Sequence, residues 1–119
     1  MKTMKYTLIS LSIIFSHLLA DCPVGYTEIT GSSGGLNGEH CYYDSDLEVL
    51  RKFADNSGID IPTDIDLIND TNNLWTAAPS FVDGRITNLF CYQCNIAGEI
   101  PSDIDKLTKL LQLFLFGSP

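Results

Sequence analysis

The sequence predicts an α/β protein in which a helical N-terminal region leads into a solenoid fragment built from short repeated strands. Three observations support this prediction: a removable leader, an amphipathic helix over residues 44–57, and an apolar pattern that recurs near the C-terminus. The chain has 119 residues, of which 15 are acidic and 7 basic. This length allows one domain, and a net charge of −8 provides no basic surface for nucleic acid or an anionic membrane.

Residues 1–20 have the pattern of a secretory signal peptide. Lys2 and Lys5 give a positive start, and the apolar run that follows ends at Ala20, a small residue suited to cleavage. The run is shorter than the roughly 20 residues that a membrane-spanning helix needs. We therefore predict a secreted protein, or one displayed at the extracellular face of the plasma membrane. Any membrane attachment would come from a segment beyond this chain.

Residues 21–83 form the predicted N-terminal cap region, which begins with an irregular, glycine-rich segment over residues 21–43. Four cysteines allow three disulfide connectivities, and they are Cys22, Cys41, Cys91 and Cys94. We favour Cys22–Cys41, because this bridge would close a loop that has no core of its own. An acidic chain with four cysteines and a leader fits an oxidising compartment.

A helix is predicted over residues 44–57. Ser45 and Glu48 have the spacing of a capping box, and Gly58 is placed to end the helix. The apolar residues that share one helical face are Leu47, Leu50, Phe53 and Ala54. This face is expected to pack on the core.

A second, short helix is predicted to start near Pro62 and Thr63. The aspartates around it match no calcium-loop spacing, so we expect a solvated face rather than a metal site. Asn69-Asp70-Thr71 is the one N-glycosylation sequon of the chain. We expect Asn69 to be exposed if it is used.

Residues 84–119 contain the recurring pattern. The spacing of Ile86, Leu89 and Cys91 returns 24 positions later, at Leu110, Leu113 and Leu115. The segment Ile96-Ala97-Gly98-Glu99-Ile100-Pro101, followed by Ile104 and Leu107, resembles the plant-type leucine-rich repeat, which reads L-x-G-x-I-P-x-x-L-x-x-L. The preceding chain resembles the N-terminal cap of that family through Asp46, Leu50, Phe53 and Trp75.

The resemblance implies one full repeat and the start of a second within residues 84–119, with the chain as the N-terminal fragment of a longer solenoid. At least three repeats are needed to bury the apolar faces of such units. The resemblance also implies recognition of a protein or peptide, as in receptor ectodomains or secreted inhibitors of wall-degrading enzymes. The alternatives are an adhesion or matrix protein of the same fold, the ectodomain of a receptor kinase, or a small disulfide-stapled effector or enzyme.

The sequence gives little support for catalysis, a metal or a cofactor. Cys91 and Cys94 form a C-x-x-C pair, but Cys91 falls at an inward strand position and no second pair completes a zinc site. We therefore expect buried structural thiols or a structural bridge. His40 beside Cys41 lies in a glycine-rich loop, where adjacent residues are seldom positioned as a nucleophile pair. We predict no enzymatic activity.

In the family that the chain resembles, side chains between the inward leucines face the concave side and bind ligands. The candidate ligand-binding residues are therefore Asn88, Phe90, Tyr92, Gln93, Gln112, Phe114 and Phe116. The 24-residue offset predicts that Phe90 stacks beside Phe114 and that Tyr92 stacks beside Phe116. Such exposed aromatics are typical of an interface. Equally, the N-terminal region or a downstream segment could cover them.

Overall fold

The computed structural model describes residues 22–116, so the predicted leader lies outside the described residues. In chain order the elements are β1 (Tyr26–Glu28), β2 (Cys41–Tyr43), α1 (Asp44–Asn56), α2 (Asp64–Asn69), β3 (Ala77–Val82), β4 (Arg85–Tyr92), a 3-10 turn (Ile104–Lys106) and β5 (Gln112–Phe116). The strands form an antiparallel pair, β1–β2, and a three-stranded sheet in the order β3–β4–β5. Neither helix of the described segment is long and apolar enough to cross a membrane.

The predicted amphipathic helix is confirmed as α1. Its buried face contains the four apolar residues expected from their spacing, Leu47, Leu50, Phe53 and Ala54. The helix ends as predicted, because Gly58 takes a left-handed φ of +73° and donates its N–H to the Asp55 carbonyl at 3.1 Å. The predicted capping box is wrong: Tyr43, and not Ser45, precedes the first helical turn, and no side chain caps it.

The core lies between α1 and the inner face of the three-stranded sheet. Phe53 of α1 packs edge to face on Trp75, with ring centroids 5.0 Å apart. The strand β4 contributes Ile86, Leu89 and Cys91, which are all buried. Each fully buried large apolar side chain contributes about 1.5–3 kcal/mol through its removal from water. The apolar face of α1 thus packs on the buried side chains of β4.

A tight turn at Asp83 and Gly84 joins β3 to β4 as an antiparallel hairpin. Both residues have positive φ, +51° and +75°, as the two central positions of a type I′ turn require. A Cβ at Gly84 would lie 2.2 Å from the Cys41 carbonyl oxygen, and the Tyr43 N–H donates to the Gly84 carbonyl at 3.0 Å. Only glycine fits this contact, which holds the hairpin turn against β2.

The predicted solenoid fold is wrong. The described residues form a small compact domain with two sheets and two helices, and they contain a single parallel strand pair, β4 with β5. A solenoid stacks several equivalent repeats, each packed against its neighbours. The turn at Asp83 and Gly84 instead reverses the chain, so that antiparallel β3 lies beside β4. The predicted irregular segment over residues 21–43 is also wrong in part, since β1 and β2 form a hairpin.

The segment that carries the family resemblance has a local structural role. Gly98 approaches the C-terminus of α1 so closely that a Cβ would lie 2.2 Å from the Asn56 carbonyl oxygen. The Asn56 side chain donates to the Glu99 carbonyl at 2.8 Å, and the Ala97 N–H donates to the Ser57 hydroxyl at 2.9 Å. These contacts join the loop after β4 to the end of the helix.

A buried ion pair connects the first turn of α1 to the start of β4. Asp46 is fully buried and accepts hydrogen bonds from Arg85 Nε at 2.9 Å, from Arg85 Nη2 at 3.3 Å and from the Ile86 N–H at 2.9 Å. The Arg85 guanidinium also lies 4.1 Å from the centre of the Tyr43 ring and donates to the Thr108 hydroxyl at 3.0 Å. The hydrogen bond to Asp46 raises the pKa of Arg85, which stays charged.

We expect the substitution Asp46→Ala to lower the free energy of unfolding by about 3 kcal/mol, because it leaves a partly buried guanidinium and a buried backbone N–H without their carboxylate acceptor. The matched control is Asp55→Ala, an exposed aspartate of the same helix, which should change stability by no more than about 0.5 kcal/mol. Urea unfolding monitored by Trp75 fluorescence measures both. Equal losses in the two variants would contradict the role of Asp46.

A second ion pair joins α1 to the 3-10 turn. Lys52 Nζ lies 2.6 Å from Asp103 Oδ2, and Lys106 Nζ lies 3.9 Å from the same oxygen. The hydrogen bond from Lys52 holds the pKa of Asp103 below its ordinary value of 3.8. The ionised form of Asp103 is therefore favoured over the protonated form more strongly in the folded chain than in the unfolded chain.

We expect stability to fall as the pH drops below 3.8, the pKa of an unperturbed aspartate, because protonation of Asp103 removes the pairing with Lys52. In Lys52→Met, this acid-dependent loss should be smaller than in the natural chain, whereas Lys109→Met should leave it unchanged. Thermal unfolding followed by circular dichroism from pH 7 to pH 2 measures the dependence. An identical pH profile for both variants would contradict the assignment.

Candidate functional site

Four exposed aromatic side chains form two stacked pairs on the outer face of the three-stranded sheet. Phe90 and Phe114 have ring centroids 4.8 Å apart with an interplanar angle of 12°, and Tyr92 and Phe116 have centroids 5.6 Å apart with an angle of 2°. We call these four residues the aromatic ladder. Between 42% and 59% of the surface of each residue remains exposed. Each pair follows the 24-residue offset that was expected from the sequence.

The ladder exists because β4 and β5 run parallel and in register. Asn88 lies opposite Gln112, and every following residue of β4 has its partner 24 positions later. Side chains alternate between the two faces of a strand, so Leu89 and Cys91 point into the core while Phe90 and Tyr92 point out. The same alternation places Phe114 and Phe116 on the outer face.

Polar groups flank the ladder at both ends. Asn88 donates from Nδ2 to Gln112 Oε1 at 2.8 Å, which adds a hydrogen-bonded pair beside the aromatic pairs. Gln93 follows Tyr92 with a left-handed φ of +54°, is exposed, and donates its backbone N–H to the Phe116 carbonyl at 3.1 Å. The structure thus brings six of the seven predicted ligand-binding residues to one face and places the backbone of the seventh, Gln93, at the end of the ladder.

Thr76 and a disulfide bond fix the end of β4 near Tyr92. The Thr76 hydroxyl donates to the Tyr92 carbonyl at 3.0 Å and accepts from the Tyr92 N–H, so it replaces a neighbouring strand at this position. Cys91 and Cys94 form a disulfide bond across the turn that follows. No local sequence pattern indicates this role of Thr76, because its side chain contacts a residue 16 positions away.

The ladder surface carries no charge. No charged residue occurs between Arg85 and Glu99, or from Leu110 to Phe116. The surface offers aromatic rings, amides and one hydroxyl, and these groups bind partners through apolar contact and neutral hydrogen bonds. In the described segment, no strand lies beside β5 on the side away from β4, and Leu113 of its inner face is 40% exposed.

The disulfides account for all four cysteines. The favoured pair Cys22–Cys41 is formed, with 5.5 Å between the two Cα atoms, and Cys91–Cys94 is the structural bridge that the sequence analysis left as one of two options. Two disulfide bonds fit an extracellular protein. Within residues 22–116, no group of three or more potential ligands is arranged to hold a metal ion.

The sequon lies at the end of α2, where Asn69 is exposed. Asp70, which was expected on a solvated face, is buried instead. Its carboxylate accepts from the backbone N–H groups of Leu74 at 2.7 Å and Trp75 at 3.0 Å. Burial raises the pKa of Asp70, and these two hydrogen bonds oppose the rise. The side chain thereby fixes the turn that delivers Trp75 to the core.

Comparison with protein-family models, characterised proteins and solved structures gives no significant match for this chain. The resemblance of its C-terminal segment to leucine-rich repeat proteins therefore stays a prediction from the sequence.

We expect loss of the Cys22–Cys41 bridge to cost more stability than loss of the Cys91–Cys94 bridge. The first closes a loop with a sequence separation of 19 and the second a loop with a separation of 3, so the entropic contributions are about 3 and about 2 kcal/mol. Each pair contains one buried cysteine, so the cavities left by alanine are similar. Urea unfolding of the two double-alanine variants measures the order, and the reverse order would contradict it.

Proposed function

We propose that this protein is an extracellular binding protein that recognises a protein or peptide through the aromatic ladder. The observation that carries the proposal is the pair of parallel aromatic stacks, Phe90–Phe114 and Tyr92–Phe116, left half exposed on the outer face of a sheet. Four clustered aromatic rings are unusual on a surface that faces only water. Aromatic residues are enriched where proteins contact partners.

The rigidity of the ladder supports this proposal. Each ring is held by its stacked neighbour, and the backbone at Tyr92 is held by Thr76 and by the adjacent disulfide bond. A surface whose side chains are already ordered loses little conformational freedom when a partner binds. Asn88 and Gln112 supply amide groups at one end, where they can bond to the main chain of a peptide.

The leader and the disulfides support an extracellular location for this binding. Residues 1–20 have the pattern of a signal peptide, and both disulfide bonds require an oxidising compartment to persist. Removal of the leader takes away Lys2 and Lys5 and leaves an acidic chain of net charge −10. We therefore infer a partner that carries basic residues around an apolar or aromatic centre, because opposite charges favour its approach.

We expect Phe90→Ser combined with Tyr92→Ser to weaken binding strongly while the fold is kept, because both side chains project from the outer face. The probe is a displayed library of random peptides, selected on the natural chain with its disulfides intact. Affinity of a selected peptide, measured by fluorescence anisotropy, should fall by roughly 30-fold or more, the loss typical of truncating residues that dominate an interface.

The matched control is Val24→Ser combined with Val82→Ser, which removes two exposed apolar side chains away from the ladder. This control should bind as the natural chain does. Circular dichroism must show that both double variants remain folded. Equal affinity for the ladder variant and the control would contradict the proposal, and unfolding of the ladder variant would indicate that these rings serve packing instead.

A further inference from the structure

Asn69 is placed on the surface as an acceptor for a covalent modification. It ends α2, is exposed, and begins the one Asn-x-Ser/Thr sequence of the chain. Within the described residues its side-chain amide takes part in no hydrogen bond. The third residue, Thr71, is also exposed, and its hydroxyl donates to Asp66 Oδ1 at 2.9 Å.

The middle residue of the sequon explains why its neighbours stay at the surface. Asp70 adopts a left-handed φ of +55°, and its carboxylate turns inward to the N–H groups of Leu74 and Trp75. The inward turn of Asp70 leaves Asn69 and Thr71 exposed on either side. The fold requires Asp70 to point inward, and glycosylation requires Asn69 and Thr71 to be exposed. Both requirements are met in this segment.

A small groove lies beside the Asn69 side chain. It has a volume of about 160 Å³ and is lined by Asn69, Ile68, Tyr42, Ser33, Pro79 and Phe81, among others. This volume is well below the roughly 300 Å³ at which pockets for free small-molecule ligands begin. A group that is covalently attached at the rim can occupy so small a groove without a high binding affinity, because the covalent bond keeps the group beside it.

We propose that Asn69 carries an N-linked oligosaccharide whose first N-acetylglucosamine lies in this groove against Pro79 and Phe81. The donor is a lipid-diphosphate-linked oligosaccharide, used by a membrane-bound transferase of the secretory pathway. Asn69 Nδ2 forms a bond to C1 of the first sugar while the bond from C1 to the diphosphate oxygen breaks. The lipid diphosphate leaves, and one amide proton passes to a base of the transferase.

The position of this glycan separates it from the proposed binding surface. The groove borders β3, whereas the aromatic ladder lies on β4 and β5, and β5 is at the opposite edge of the sheet. β3 is an edge strand, and Pro79 within it has no N–H to offer to another strand. The glycan would cover this edge and leave the ladder open.

Translation of the full chain with microsomal membranes tests the attachment. We expect one glycan per chain, seen as a mass shift that peptide-N-glycosidase removes, and complete loss of the shift in Asn69→Gln and Thr71→Ala. Thr71→Ser and the neighbouring control Asn72→Gln should keep it. A parallel translation with an established secretion leader ahead of the chain ensures entry. Absence of the shift in that parallel translation would overturn the proposal.

The position of the first sugar in the groove is tested by a separate measurement. In the secreted chain, trimmed to one sugar, the N-acetyl methyl protons should show nuclear Overhauser contacts to ring protons of Phe81 and none to those of Phe114. A glycan at Asn69 without contacts to Phe81 would overturn its placement in the groove. Neither result depends on partner binding, so failure here is distinguishable from failure of the ladder as a binding surface.

Discussion

The buried pairing of Asp46 with Arg85 is the contact on which the rest of the fold depends. Asp46 belongs to α1 and Arg85 to β4, so the pairing sets the helix against the central strand of the larger sheet. The Arg85 guanidinium also lies over the ring of Tyr43 in the smaller sheet and donates a hydrogen bond to Thr108 in the segment before β5. The Asp46 carboxylate is fully buried, and a buried charge is stable only when it is paired and hydrogen-bonded. The same guanidinium therefore also contacts the segment that leads into β5, the strand that carries half of the ladder.

Residue spacing in the sequence predicted the parts of the structure that depend on the regular geometry of helices and strands. The face of α1 follows from the helical spacing of Leu47, Leu50 and Ala54, because residues three or four apart share a face. The stacking of Phe90 on Phe114 follows from the 24-residue offset together with strand alternation. In both cases the spacing of residues in the sequence is enough to predict which side chains lie together, because successive helical turns and neighbouring strands repeat the same geometry.

The features that the sequence did not predict depend on contacts between residues that are far apart in the chain. The partners Asp46 and Arg85 are 39 residues apart, so no local pattern indicates that this aspartate of a charged first turn is buried. The strand β3 is short and interrupted by Pro79, which weakens its strand signal. Asp83-Gly84 was a usable signal, because this dipeptide favours the type I′ turn of a hairpin. Recognising that hairpin would have argued against a solenoid.

The contrast between an uncharged ladder and an acidic chain has a kinetic consequence. Charges elsewhere on the chain act over about 10 Å at moderate ionic strength, whereas the apolar contact between rings acts only after collision. Added salt would therefore slow the encounter with a basic partner and leave the lifetime of the complex almost unchanged.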